Sequence, residues 1–415
     1  MAADKSAKTA AGLRGAFWDP ARIPSGVRFH PANIVAEDGG AAFGMLAKCG
    51  GEKCVVMAMH PREFLATHYL GPEILRGGAA FWTQAPRSVG NDIRLEHETA
   101  LLDVAAGIGY LRDQGYERIV LLGNSGGAGL FSFYCQQANL PSSARIVKTP
   151  AGKPTHLSGA ALPKADGLVF VSPHPGQGAL LMNCIDPSVT DENDPLSIDP
   201  SLFPFSPENG FKAPPSSSAY APEFVARYRA AQRDRVARLD EWARARVADR
   251  IGAKRRLKEA FDPADMILSA HTPVLTIWRT DADLRCFDLS LDPSDRRYGS
   301  LWGANPFVSN FGSIGFARTC TADSWLSTWS GLSSNALLEK TAPGVVEPTF
   351  MFVFTGDNSV FPEDADNIFD WVGAADKTRA SAPGDHHGRA LTPDGPSGQM
   401  IAGEAIRAWL EDRFV

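Results

Sequence analysis

What this chain of 415 residues lacks narrows it first. Its six cysteines, Cys49, Cys54, Cys135, Cys184, Cys286 and Cys320, are scattered, with no Cys-x-x-Cys pair and no metal-ligand spacing. Such thiols belong to a reducing compartment, which excludes a disulfide-stapled scaffold and a structural zinc site. No apolar run is long enough to span a bilayer, and Met1 to Gly12 is polar and Ala-rich without the apolar core of a secretory signal. The expectation is a cytoplasmic protein with no membrane partner. The net charge of −6 and the absence of a dominant basic face argue against nucleic acid as the main partner. His386 and His387 follow Asp385, but no distant His/Asp cluster at ligand spacing completes a metal site. Neither a metal nor a cofactor is expected.

What is present is ordinary in bulk and specific in detail. A content of 44% hydrophobic and 21% charged residues is that of a globular protein able to bury a large core. The length suits one α/β core carrying an insertion.

The most informative stretch is Glu117 to Gly129. An apolar, β-branched-rich run ends in Gly-x-Ser-x-Gly, Gly123 to Gly127, and small residues lead into a helix-like segment, Leu130 to Ala138. A strand that turns at once into a helix strains its middle residue and lifts that side chain clear of the sheet. Ser125 occupies that place. Gly123 and Gly127 are small because a Cβ at either position would clash as strand and helix cross. The N–H of Gly126, at a helix start, points toward any oxyanion formed there. A Gly-rich loop whose serine only caps a helix is the bland alternative; the strand before and the helix after weaken it.

A serine hydroxyl needs a base, and the base needs an orienting group. Pro348 to Phe354 reads as a buried strand that runs into Thr355-Gly356-Asp357. Glu363 to Ala374 reads as a helix and Lys377 to Ala382 as a strand, followed by Pro383-Gly384-Asp385-His386-His387. Neighbouring parallel strands would bring Asp357 and His386 to the same sheet edge as Ser125. The order Ser125, Asp357, His386 resembles that of the α/β-hydrolase superfamily of serine hydrolases, over residues 27–178 and 346–415.

The resemblance implies a mostly parallel central sheet flanked by helices, with Ser125 as nucleophile, His386 as general base and acid, and Asp357 fixing the imidazole. His387 is the rival of His386; Asp364, Asp366 and Asp281 are rivals of Asp357. It further implies a second oxyanion donor after the strand Lys53 to Met59. Many relatives carry His-Gly there, whereas this chain has His60-Pro61, and proline has no N–H. The donor is therefore expected to shift to the backbone of Arg62, alongside Gly126. The Arg62 side chain reads either as a contact for an acidic substrate group or as a surface ion pair.

Elsewhere, residues 26–51 suggest an antiparallel hairpin turning at Glu37 to Gly40, after an N-terminal arm over 1–25. Ala79 to Gln84 reads as a strand. Leu95 to Gln114 reads as an amphipathic helix, with Leu101, Val104, Ala105, Ile108 and Leu111 at helical spacing and Gly115 as its stop. Asp166 to His174 is the sixth core strand and residues 398–414 a closing helix. The core thus divides into 26–178 and 346–415 around an insertion, 179–345, expected to be a large, mostly helical lid. Its charged stretch, Pro222 to Phe261, reads as one or two long helices with a solvated face and i,i+4 pairs such as Asp240–Arg244. Trp302, Phe307, Phe311, Phe316, Trp325 and Trp329 follow, and imply a roofed, apolar pocket. His60, Asn124, His174, Trp325 and Trp329 are the candidate substrate contacts.

These readings point to a carboxylesterase- or lactonase-like enzyme acting on a bulky hydrophobic or aromatic small molecule. Gly-Asn-Ser at the turn also resembles the carbon–carbon bond hydrolases of aromatic-ring degradation, a second reading; a non-catalytic small-molecule binder is a third. Exposed insertion or sheet-edge surfaces could make a homodimer.

Overall fold

The computed structural model describes residues 18–313 and 315–415, so residues 1–17 of the expected N-terminal arm lie outside the described residues. One sheet is built from β1 (Arg28–Val35), β2 (Ala41–Lys48), β3 (Cys54–Met59), β4 (Ala80–Ala85), β5 (Arg118–Asn124) and β6 (Gly167–Val171). A separate antiparallel ribbon joins β7 (Val274–Thr276) to β8 (Thr319–Thr321), and the main sheet is completed by β9 (Thr349–Phe354) and β10 (Lys377–Ala382). The order across the sheet is β1-β2-β4-β3-β5-β6-β9-β10. β1 and β4 each pair antiparallel with β2, and every later neighbour is parallel. An antiparallel edge feeding a parallel sheet in this order, with helices on both faces, is the α/β-hydrolase fold.

The central strands are continuous apolar runs because both of their faces are covered. β3 is buried along its whole length: Val55, Met57 and Met59 face one cluster, while Cys54, Val56 and Ala58 face the other. The first cluster receives α2 (His97–Asp113) and α3 (Gly126–Asn139). The second receives α1 (Gly71–Arg76) and the C-terminal helix, whose Ile406, Trp409 and Leu410 pack on Phe350 and its neighbours.

α2 departs from the amphipathic expectation, since it is buried on nearly all sides, Glu98 and Asp103 included. The insertion between β6 and β9 covers its outer face. The N–H of His97 donates to Ser327 Oγ (3.0 Å), while Ser327 Oγ and Asn335 Nδ2 donate to the Glu98 carboxylate (2.5 and 2.9 Å).

The insertion itself is not mostly helical. After α4 (Gln177–Cys184) it holds one 35-residue helix, α5 (Pro222–Arg256), an eight-residue helix, Pro263–Ala270, and otherwise helical segments of five residues or fewer, loops and the β7–β8 ribbon. One face of α5 is solvated, with Arg227, Arg233, Asp234, Arg238, Glu241, Arg244, Arg246 and Asp249 exposed, and an adjoining row of arginines anchors it to the rest of the insertion. Arg229 pairs with Asp283, Arg235 with Glu192 and Arg250 with Asp323, and Arg235 is fully buried. Asp240 does not serve Arg244; it accepts from Trp325 Nε1 (2.7 Å) and from Ser333 Oγ. No helix among the described residues is long and apolar enough to cross a membrane.

Candidate active site

β5 turns directly into α3, and Ser125 at the turn has φ +52°, ψ −116°, a region that non-glycine residues rarely adopt. Its N–H donates to the carbonyl of Val171 at the end of β6 (2.9 Å), which pins the turn to the neighbouring strand. A Cβ on Gly123 would lie 2.7 Å from the backbone of Gly127 and Ala128, so this glycine lets strand and helix cross as expected. Gly127 has a different reason: a Cβ there would meet the carbonyl oxygen of Met59, at the end of β3, at 2.5 Å.

β9 and β10 are parallel neighbours, and the loops after them carry Asp357 and His386 to the serine. His386 Nε2 lies 3.0 Å from Ser125 Oγ, and Nδ1 lies 2.8 and 2.9 Å from the two Asp357 oxygens. Asp357 Oδ1 also accepts the N–H groups of Ser359 (2.8 Å) and Val360 (3.0 Å), which hold the carboxylate in place. The Nδ1 proton therefore faces Asp357, and the Nε2 lone pair faces the hydroxyl. Burial alone would lower the His386 pKa, but the adjacent Asp357 carboxylate outweighs it and the net shift is upward.

The rivals are engaged otherwise. His387 packs edge-on against His386, 4.9 Å between ring centroids, and burial followed by the neighbouring His386 keeps its pKa well below the usual value. Asp364 pairs with Arg285 and caps the helix after β9, Asp366 pairs with Arg379, and Asp281 accepts from Ser300 and Ser309 in the insertion.

Two expectations about donors and contacts need correction. The first concerns the oxyanion site. Gly126 begins α3, where N–H groups have no intrahelical acceptor, so its donor is available. The N–H of Arg62 is not, because it donates to His60 Nδ1 (3.2 Å). Nor does the Arg62 side chain wait for an acidic ligand: it holds both Asp92 oxygens (2.8 and 2.7 Å) and lies over the Trp329 ring, 4.9 Å from its centroid.

The second concerns substrate contacts. Asn124 faces away from the serine: its Oδ1 accepts from His68 Nε2 (3.0 Å) and its Nδ2 donates to the Val171 carbonyl (2.9 Å). Trp325 and Trp329 are fully buried in the insertion, the former tied to Asp240, the latter beneath Arg62. The space above Ser125 is instead roofed by Leu301, Trp302 and Phe316. His60 and His174 do line it, as expected, together with Glu63 and Gln177, which sequence reasoning missed. A signal for Gln177 existed, since it opens the first helix after the β6 end that carries His174.

That space is about 40 Å³, room for a few water molecules. A larger cavity of about 490 Å³ shares Arg62 and Glu63 with it and is lined by polar groups, among them Asn91, Asp92, Ser313 and Thr319. Burial pushes the Glu63 carboxyl upward in pKa. It pushes His60 well below the usual imidazole value and His174 down to about 3, so both rings are neutral at pH 7.

No family model matches the chain, and no curated protein matches it. Among solved structures it is similar to the esterase domain of a Rhodothermus marinus protein, at 10% identity and TM-score 0.43 over 93% of this chain and 98% of that one. It is similar to a Pyrococcus furiosus esterase at 12% identity and TM-score 0.43, over 96% and 95% of the two chains. A hypothetical protein of Pseudomonas aeruginosa aligns at 11% identity and TM-score 0.48, over 94% and 95%.

Proposed function

We propose that the protein is a serine hydrolase that opens a carboxylic ester or lactone through an acyl-enzyme on Ser125. The observation that carries this reading is the continuous hydrogen-bonded line from Ser125 Oγ through His386 to a doubly anchored Asp357, on a turn with positive φ. Ser125 attacks the carbonyl carbon while its proton passes to His386 Nε2, and Asp357 stabilises the imidazolium. Collapse breaks the bond to the alkoxide, which takes the proton from His386. A water activated by the same nitrogen then frees the acid.

In this reading residues 26–178 and 346–415 are the catalytic core and 179–345 the lid. The apolar roof of Leu301, Trp302 and Phe316 suits a hydrophobic or aromatic group near the scissile bond. Seating a bulky group beneath it would require the roof to move. The larger cavity sets polar side chains among more apolar surface, which suits a substrate whose remainder carries both apolar and hydrogen-bonding groups. Carbon–carbon bond cleavage draws no support from Asn124, because its side chain is committed to His68 and Val171.

Intact-mass labelling with a fluorophosphonate tests the reading. A single adduct on the wild type, absent from Ser125→Ala, is expected, and p-nitrophenyl esters should be hydrolysed by the wild type alone. An unlabelled wild type, or an adduct that survives Ser125→Ala, overturns it.

A further inference from the structure

We infer that the oxyanion is held largely by side chains, the Nε2–H groups of His60 and His174 with the amide of Gln177, beside the backbone N–H of Gly126. The inference rests on the acyl-enzyme reading above and specifies how its charge is stabilised.

The two backbone positions that follow His60 offer no free donor. Pro61 has no N–H, and the N–H of Arg62 is bonded to His60 Nδ1. The same bond fixes the chemistry of the ring. A nitrogen that accepts from a backbone N–H keeps its lone pair, so the proton of the neutral imidazole sits on the other nitrogen. His60 therefore presents Nε2–H. His174 is arranged similarly: the N–H of Gly176, bonded to the His174 carbonyl (2.7 Å), is shared with its Nδ1 (3.2 Å). A third case shows what becomes of such a donor when an acceptor is near. His68 Nδ1 accepts the N–H of Leu70 (3.3 Å), and its Nε2–H is taken up by Asn124 Oδ1 (3.0 Å). Among the described residues, Nε2 of His60 and Nε2 of His174 have no such acceptor, although both rings are buried and line the space at Ser125.

The three nitrogens converge on one point. A Cβ built on Gly126 would lie 2.7 Å from His60 Nε2, 3.0 Å from Gln177 Nε2 and 3.1 Å from His174 Nε2. This explains the glycine after the serine: a side chain there would fill the cluster. It also places donors from β3, from β6 and from α4 against the residue whose own N–H faces the same site. When Ser125 Oγ bonds to the carbonyl carbon, the C=O π pair moves onto oxygen. Neutral donors fixed by their own Nδ1 bonds then meet the new charge without reorganising.

His60→Phe and His174→Phe keep a ring and remove the N–H; His60→Gln and His174→Gln return an amide N–H at similar reach. With p-nitrophenyl acetate, each Phe variant should lower kcat about 10²–10³-fold with KM within about threefold, and each Gln variant should recover at least about tenfold. A trifluoromethyl ketone, whose serine hemiketal carries the same oxyanion, should weaken in parallel with kcat. Gln177→Met carries the same expectation in kind and serves if a Phe variant does not fold. Wild-type kcat in the Phe variants, a loss confined to KM, or a loss that Gln does not recover overturns the inference. Any of these with Ser125 labelled in the wild type leaves the acyl-enzyme reading standing, whereas an unlabelled wild type removes that reading itself.

Discussion

Arg62 holds its guanidinium over the indole of Trp329, 4.9 Å from the ring centroid, while its Nε and Nη2 donate to the two oxygens of Asp92. Three regions meet at that residue: the loop after β3, the loop before α2, and the inner turn of the insertion. The insertion and the core sheet are thus coupled through one side chain at the edge of the site.

Arg62→Gln should therefore lower global stability by about 1–3 kcal/mol, because Asp92 is left half-buried without its partner. Urea unfolding reads this as a lower midpoint at unchanged slope. An unaltered midpoint would mean that the ion pair and ring contact contribute nothing net.

In the proposed mechanism His386 must be neutral, and its pKa is raised above the ordinary 6.5 by Asp357. The acid limb of kcat/KM should accordingly fall off as pH drops through a value above 6.5. Asp357→Asn should lower kcat by about 10⁴-fold and move the residual limb to lower pH, since the charge that raised the ring is gone. A limb unmoved in Asp357→Asn would assign the titration to another group.

Asn124→Ala removes a buried amide that serves His68 and the β6 carbonyl at once. The expected cost is about 1–3 kcal/mol in unfolding free energy with KM unchanged. A raised KM at unchanged stability would restore Asn124 as a substrate contact.

Gly123→Ala would bring a methyl to within 2.7 Å of three backbone atoms of the crossing helix. Backbone cannot swing aside, so a lowered melting temperature and loss of fluorophosphonate labelling should appear together. Normal labelling would show that the turn tolerates a wider crossing.

Asp281 is buried under Ser300 and Ser309, near Arg318 and Asp283, and burial pushes its carboxyl up to about 6 from the ordinary 3.8. A carboxyl raised in the folded state binds protons that the unfolded chain has already released, so stability falls as pH rises from about 4 to 6. The difference amounts to something on the order of 3 kcal/mol. The wild type should lose melting temperature across that window relative to Asp281→Asn, and parallel curves would place the titration elsewhere.

The strands and the Ser125–His386–Asp357 line were legible because each depends on local chemistry or on topology. β3, β5 and β9 are unbroken apolar runs, and consecutive parallel strands end at one edge, so Asp357 and His386 had to arrive together. Side-chain commitments made in three dimensions were not legible. Nothing in the order of residues says that Asn124 turns to His68, that the Arg62 N–H turns back to His60, or that Trp302 rather than Trp325 roofs the serine. The solvated face expected on α5 is there, but Arg229, Arg235 and Arg250 beside it found carboxylates on distant segments, which the order of residues does not show.

Ser125 and His386 stand 261 positions apart, with the whole insertion translated between them. A ribosome that has finished the nucleophile turn has made a displayed hydroxyl with no base to deprotonate it. Reactivity arrives only when the final strands join the sheet edge beside β6. Until then the emerging polypeptide carries a harmless alcohol, and in the proposed mechanism no turnover can precede the synthesis of His386.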